Sequence, residues 1–377
     1  MKFIIAPDKF KDSLTGFEFC NAVEEGLKMV FPKAEIVKMP LADGGDGTIE
    51  VVNYYLKGDK VSLTVNNPIF QKIEASYLYA EMSKTAFIEM AEASGIKLLK
   101  SEDRNCLYTT TLGTGELILD ALNKGAKHII LGIGGSATND CGIGMATALG
   151  YRFLDENKKE VKPIGENLSK IKAIDDTSVH RKLKMVSIKI ACDVTNPLYG
   201  KNGAAYVYGP QKGAKKEAVA ILDNGLQEFS KVIDIHFNID SQNIQGAGAA
   251  GGMGIGSKVF LNGEITSGVE LVKTIANFDA KLENTDWIIT GEGQIDSQTL
   301  SGKTIQGVLK SAQEKNIPVA AFCGAVDLSI TEQNELGLTY ASSVLKGVST
   351  LENALKSGYE NLKFTAYNFA KILNKKE

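Results

Sequence analysis

Residues 132 to 140 read Gly132-Ile133-Gly134-Gly135-Ser136-Ala137-Thr138-Asn139-Asp140. An apolar run with the composition of a buried strand, Lys127 to Leu131, comes just before, and Met145, Ala146 and Leu149 follow at helical spacing. Glycines let the backbone approach an anion's oxygens, and a helix amino end adds free N–H groups and partial positive charge. The chemistry expected of Gly134, Gly135, Ser136, Thr138, Asn139 and Asp140 is therefore the binding of phosphate or carboxylate. A tight strand-to-helix turn with a capping aspartate calls for the same residues. On the binding reading, Gly135→Val weakens anion binding by steric exclusion and leaves stability nearly intact.

Further polar loops carry charge. Asp8-Lys9-Phe10-Lys11-Asp12-Ser13 sets two cations after the first strand, where Lys9 and Lys11 can hold carboxylate or phosphate, with Ser13 in the same loop. Asp43 and Asp46 sit among glycines, able to hold Mg²⁺ through water or to orient a hydroxyl, although turn chemistry also selects Asp-Gly-Gly. Asp193 follows the apolar Ile188 to Cys192 and stands near Asn196, a pairing suited to a hydroxylated substrate or a metal. As general base or as orienter of the attacking hydroxyl, Asp193 would be essential. Lys212 lies between glycines, and Glu292 and Asp296 end another strand. One carboxylate at a strand end is usually a turn residue. Together these loops suit phosphoryl transfer, in which a protein mainly positions groups and neutralises charge.

Two other motifs lack their context. Gly246-Ala247-Gly248-Ala249-Ala250-Gly251 has the dinucleotide spacing, but Ser241-Gln242-Asn243 upstream is no buried strand, so a packed glycine-rich helix start or turn is expected. Ser297 to Thr304 ends like a phosphate-binding loop, yet it lacks the opening glycine and begins well after the strand that ends at Thr290. A nicotinamide dehydrogenase would need the opening that is missing here.

The elements that must position these loops alternate strand and helix. Phe3 to Ala6 is a strand ended by Pro7, and a helix follows from Thr15, whose hydroxyl and Glu18 form a capping box. Glu35 to Met39 starts a second βα unit, which predicts a parallel sheet with its loops at the carboxyl edge. After Asn67-Pro68 the alternating runs Ile73 to Tyr79 and Thr85 to Met90 signal a hairpin and a mixed sheet. The βα rhythm returns at Asp286 to Thr290 and Pro318 to Cys323. The expected fold is α/β: an open Rossmann/flavodoxin-like parallel-sheet domain from residues 1–66 and 285–377, with a mixed-sheet α/β domain, 67–284, inserted. Contiguous halves are the alternative.

Composition bounds the function. A chain of 377 residues with 44% hydrophobic and 23% charged residues is a folded two-domain protein. A formal net charge of -3 gives no case for nucleic acid. No apolar run approaches the ~20 residues of a membrane span, and the opening has no signal-peptide pattern. A cytoplasmic monomer or homodimer is expected. Five scattered cysteines and three histidines offer neither a disulfide framework nor a zinc site.

In sum of their order, the motifs resemble the type I glycerate kinase family. Those that carry the resemblance are Ala6 to Lys11, Ala42 to Thr48, Gly113 to Leu117, Gly134 to Asp140, Ala191 to Leu198, Gly209 to Ala214, Gly246 to Gly252 and Thr290 to Asp296. The match runs in order from residue 2 to about 325. It departs in two places: Lys9 stands where the family has serine, and Cys141 where a glycine commonly follows the Asn-Asp pair. The resemblance implies ATP-dependent phosphorylation of D-glycerate to 2-phosphoglycerate, with 3-phosphoglycerate the alternative product. It also implies Mg²⁺, for which Asp43 and Asp296 are the candidates, and an active site in a cleft between the domains.

Overall fold

Phe3, Ile4 and Ile5 have no exposed surface, so the strand Lys2–Ile5 must be covered on both faces. In a computed structural model that describes residues 1–44, 47–296 and 304–374, it lies inside a five-stranded sheet. Across that sheet the strands are Tyr340–Ser343, Val319–Cys323, Trp287–Thr290, Lys2–Ile5 and Glu35–Lys38, all parallel. Ranked by position along the chain, the order is 2-1-3-4-5, the flavodoxin-like doubly wound arrangement. Its switch point falls between Lys2–Ile5 and Trp287–Thr290. Helix Gly16–Lys28 begins at the expected Thr15/Glu18 capping box and buries Phe19, Ala22, Val23 and Leu27. It packs closely on helix Gly358–Leu373: a Cβ at Gly26 would come within 2.3 Å of the Lys363 carbonyl oxygen.

The second sheet has six strands, in the order Glu264–Thr266, Ser187–Ala191, His128–Gly132, Thr85–Glu89, Lys72–Ala80 and Asp59–Asn66. The first four are parallel and Lys72–Ala80 is antiparallel to both its neighbours, which is the expected mixed sheet. Glu89, Gly132, Ala191 and Thr266 are lateral partners, so the chain leaves four strands along one carboxyl edge.

The chain divides into two compact units, Met1–Tyr55 with Gly268–Glu377, and Leu56–Ser267. These bounds replace those expected at 66 and 285, for local reasons. Asp59–Asn66 pairs along its whole length with Lys72–Ala80, which draws it into the mixed sheet. Helix Gly268–Ala276 packs instead on helix Thr304–Glu314, where a Cβ at Gly307 would meet the Val269 side chain at 2.8 Å. Each unit has its own apolar core, and the two cores share no residue. Among the described residues no helix is long and apolar enough to cross a membrane.

Candidate functional site

In the discontinuous unit the loops beside the switch point are tied to each other before they meet any ligand. The amides of Ala6 and Asp8 donate to the carbonyls of Ile289 and Gly291, at 2.8 and 2.9 Å. The Thr290 hydroxyl donates to the Ala6 carbonyl at 2.8 Å. Gly291 admits no side chain, since a Cβ there would stand 2.0 Å from the Phe322 carbonyl oxygen. Loop 6–14 therefore has a fixed course, and it opens into a cavity of about 640 Å³. Asp8, Lys9, Lys11, Asp43 and Glu292 line it, together with apolar residues from the segment that follows the edge strand Tyr340–Ser343.

Asp8, between Pro7 and Lys9, is a site residue with no signal of its own in the sequence. One of its carboxylate oxygens accepts from the Lys9 amide at 2.7 Å and the other from the Thr304 hydroxyl at 2.5 Å. Burial pushes its pKa up to about 6, and the neighbouring Asp43 adds to the rise. The carboxyl group is thereby tuned toward neutral pH. Ser13 also lines the cavity, and its hydroxyl donates to the Leu355 carbonyl at 2.7 Å. The Lys9 ammonium lies near Gly47. Asp296 is not part of the cavity wall. Gly45, Asp46 and residues 297–303 of the phosphate-loop-like stretch lie outside the described residues.

In the other unit, loop 132–140 has two parts. Gly134 and Gly135 are exposed at its tip, and a Cβ on Gly134 would meet nothing within 4 Å. Ser136 is nearly buried, and Ala137 to Asp140 form a buried root. The helix amino end expected to face an anion is already occupied. Asp140 accepts from the amides of Gly142 and Gly144 at 3.3 and 3.2 Å, and its backbone carbonyl takes the Ile143 amide. The Thr111 amide and hydroxyl also donate to it, both at 2.8 Å. Burial raises the Asp140 carboxyl against these bonds, which favour its charged form. Asp140 is thus the internal clamp of the turn, and any anion must be met by the exposed tip.

Lys212 reinforces the same loop from within. It is 3% exposed and donates to the Ser136 hydroxyl at 2.6 Å and to the Thr138 carbonyl at 2.8 Å. Burial pushes its pKa down to about 8. Thr138 Oγ1 and both amide atoms of Asn139 are buried with no hydrogen-bond partner among the described residues. Asp193 is exposed just beyond the strand Ser187–Ala191. Asn196 holds its own loop together, donating to the Asn202 carbonyl at 2.9 Å and accepting from the Tyr208 hydroxyl at 2.6 Å.

The glycine run 246–252 is a packed turn at the start of helix Ala249–Leu261, within the expected helix start or turn. Ala250, Gly251 and Gly252 have left-handed backbones, and the Cys141 amide donates to the Gly251 carbonyl at 3.0 Å. A Cβ at Gly251 would lie 2.1 Å from the Thr138 carbonyl oxygen. Cys141 is itself left-handed, with φ 53°, a conformation in which glycine is unstrained.

Residues 3–374 match the model of a family described as the glycerate kinase family. A Bacillus cereus (strain ATCC 10987 / NRS 248) protein named glycerate kinase is 44% identical over 372 residues, covering 99% of this chain and 98% of its own. An Escherichia coli (strain K12) protein named glycerate 2-kinase is 42% identical over 373 residues, with 99% and 98% covered. A crystal structure from Salmonella typhimurium LT2, provisionally described as glycerate kinase 2, superposes with a TM-score of 0.88 at 41% identity, covering 100% of this chain and 98% of that one.

Proposed function

This chain belongs to the glycerate kinase family, and on that premise we propose that it transfers the terminal phosphoryl group of ATP to the 2-hydroxyl of D-glycerate, giving 2-phosphoglycerate and ADP. The observation that carries the reaction class is the cavity at the switch point, where Lys9 and Lys11 stand with Asp8, Asp43 and Glu292. Phosphoryl transfer needs charge neutralisation and positioning more than covalent help from the protein. Lys9 and Lys11 supply the positive charge for the phosphates. In the other unit the exposed amides of Gly134 and Gly135, with Ser136 behind them, receive an anionic group, and Lys212 positions that loop.

Two carboxylates are proposed for the acceptor hydroxyl. Asp193 projects at a strand end as base or orienter. Asp8 has an acidity suited to the role, since an effective general base titrates near the working pH. Mg²⁺ fits the same wall. It keeps most of its water and binds through one or two carboxylates together with substrate phosphates. Among the described residues no group of three or more acids, cysteines or histidines makes a metal cage. Asp43 supplies one such carboxylate, and a metal held there would neutralise charge on the transferring phosphate. Asp296, outside the cavity wall, is the other candidate.

Phosphorus NMR of the product made from ATP and D-glycerate tests the reaction. The 2-phosphoglycerate resonance is expected. A 3-phosphoglycerate signal would move the acceptor hydroxyl, and turnover that does not depend on nucleotide would overturn the reading.

A further inference from the structure

Part of the 640 Å³ cavity has no task in phosphoryl chemistry. Val344, Leu345, Leu351 and Ala354 line it, from the segment after Tyr340–Ser343. Leu345 is 43% exposed and Leu351 75%, although both are large and apolar. Helix Leu351–Lys356 buries none of its residues, so core packing does not explain where it lies. It is held by the Thr350 cap and by the Ser13 hydroxyl, which donates to the Leu355 carbonyl from the lysine-bearing loop. An apolar wall fastened to a loop carrying Lys9 and Lys11 fits a ligand that is apolar and flat in one part and anionic in another.

We propose that this wall receives the nucleoside end of ATP, with the phosphates running toward Lys9 and Lys11. This rests on the reading of the chain as an ATP-dependent kinase. Three features favour a nucleotide over the acceptor acid. A three-carbon hydroxy acid would leave most of the cavity empty, whereas the volume lies in the usual range for sites that enclose larger ligands. Glycerate has no apolar face to set against the exposed leucines. The cavity also opens at the carboxyl ends of strands beside the switch point of a 2-1-3-4-5 sheet, where doubly wound folds bind mononucleotides.

The test compares Leu345→Asn/Leu351→Asn with Val348→Asn. Val348 is fully exposed in the same segment and does not line the cavity. Calorimetry with ADP, without glycerate, reads the binding directly. The double variant should weaken ADP about tenfold, the loss expected from partial removal of two apolar contacts. The ATP KM should rise in parallel while the glycerate KM stays within about twofold. Val348→Asn should match the parent. If the double variant fails to fold, Leu351→Asn alone carries the same comparison. Unchanged ADP affinity, or a raised glycerate KM with an unchanged ATP KM, would overturn the proposal. A parent protein that binds ADP but makes no phosphoglycerate would defeat the kinase reading and leave the nucleotide site standing.

Discussion

The carboxyl of Asp8 sets stability against activity. Its folded pKa of about 6 lies above the ordinary 3.8, because burial disfavours the charged form. The protonated acid's stabilising contribution is therefore complete below about pH 4 and lost as the pH rises through about 6. Above that the buried carboxylate costs about 3 kcal/mol, at 1.36 kcal/mol per pH unit. Asp8→Asn should consequently raise the melting temperature at pH 8 and leave it little changed at pH 4. The same variant should lower turnover by ~10²–10⁴ if Asp8 accepts the proton. The acidic limb near pH 6 in kcat/KM should vanish in Asp8→Asn and persist in Asp193→Asn. A limb that persists in Asp8→Asn would return the role to Asp193. Lys9 and Lys11 were legible in the sequence because two cations in one loop directly after a strand form a signal complete within a few residues. Asp8 was not, because a carboxylate at a strand end resembles a turn residue, and its tuning comes from burial that only the folded chain supplies, with Asp43 adding to the rise.

At the scale of elements, the legible features are those whose partners are near in sequence. The Thr15/Glu18 capping box is complete within four residues and forms as read. The amino end of helix Ile143–Ala148 carries the capping aspartate that the sequence left open as the alternative, and only the further tie of Asp140 to Thr111, on a segment that tertiary folding brings close, had no local signal. The glycines of the two loops separate accordingly. Gly134 has open space around it, so Gly134→Ala should leave urea stability unchanged and raise the KM of the anion it contacts. Gly135 has φ 69°, so Gly135→Val adds backbone strain and, contrary to expectation, cannot leave stability intact. Gly251→Ala should destabilise by ~2 kcal/mol or more, since it combines φ 77° with a clash against the Thr138 carbonyl. A urea midpoint for Gly251→Ala equal to the parent's would refute the packing role of the glycine run.

For the whole molecule, separate cores make the two units distinct reporters of where substrates bind. Glycerate with a non-hydrolysable ATP analogue should slow hydrogen exchange in loops 6–13 and 291–296 of one unit and in 133–136 and 192–196 of the other. Protection confined to one unit would assign both substrates to it. The parallel and mixed sheets were legible from hydrophobic periodicity. The Leu56–Ser267 bounds were not, because Asp59–Asn66 shows its allegiance only through its antiparallel partner.

The strand Lys2–Ile5 pairs with Glu35–Lys38 on one side and with Trp287–Thr290 on the other. During synthesis, at ~5–20 residues per second, the second neighbour leaves the ribosome on the order of fifteen seconds to a minute after the first strand. In that interval residues 56–267 emerge whole and can fold around their own core. Phe3, Ile4 and Ile5, which the finished sheet buries completely, must wait with one edge unpaired. A nascent chain in that condition is a ready client for chaperones and a ready seed for aggregation. Release from that hazard comes only with the last strands, so a ribosome stalled before Trp287 leaves a finished insert tethered to an open, sticky edge.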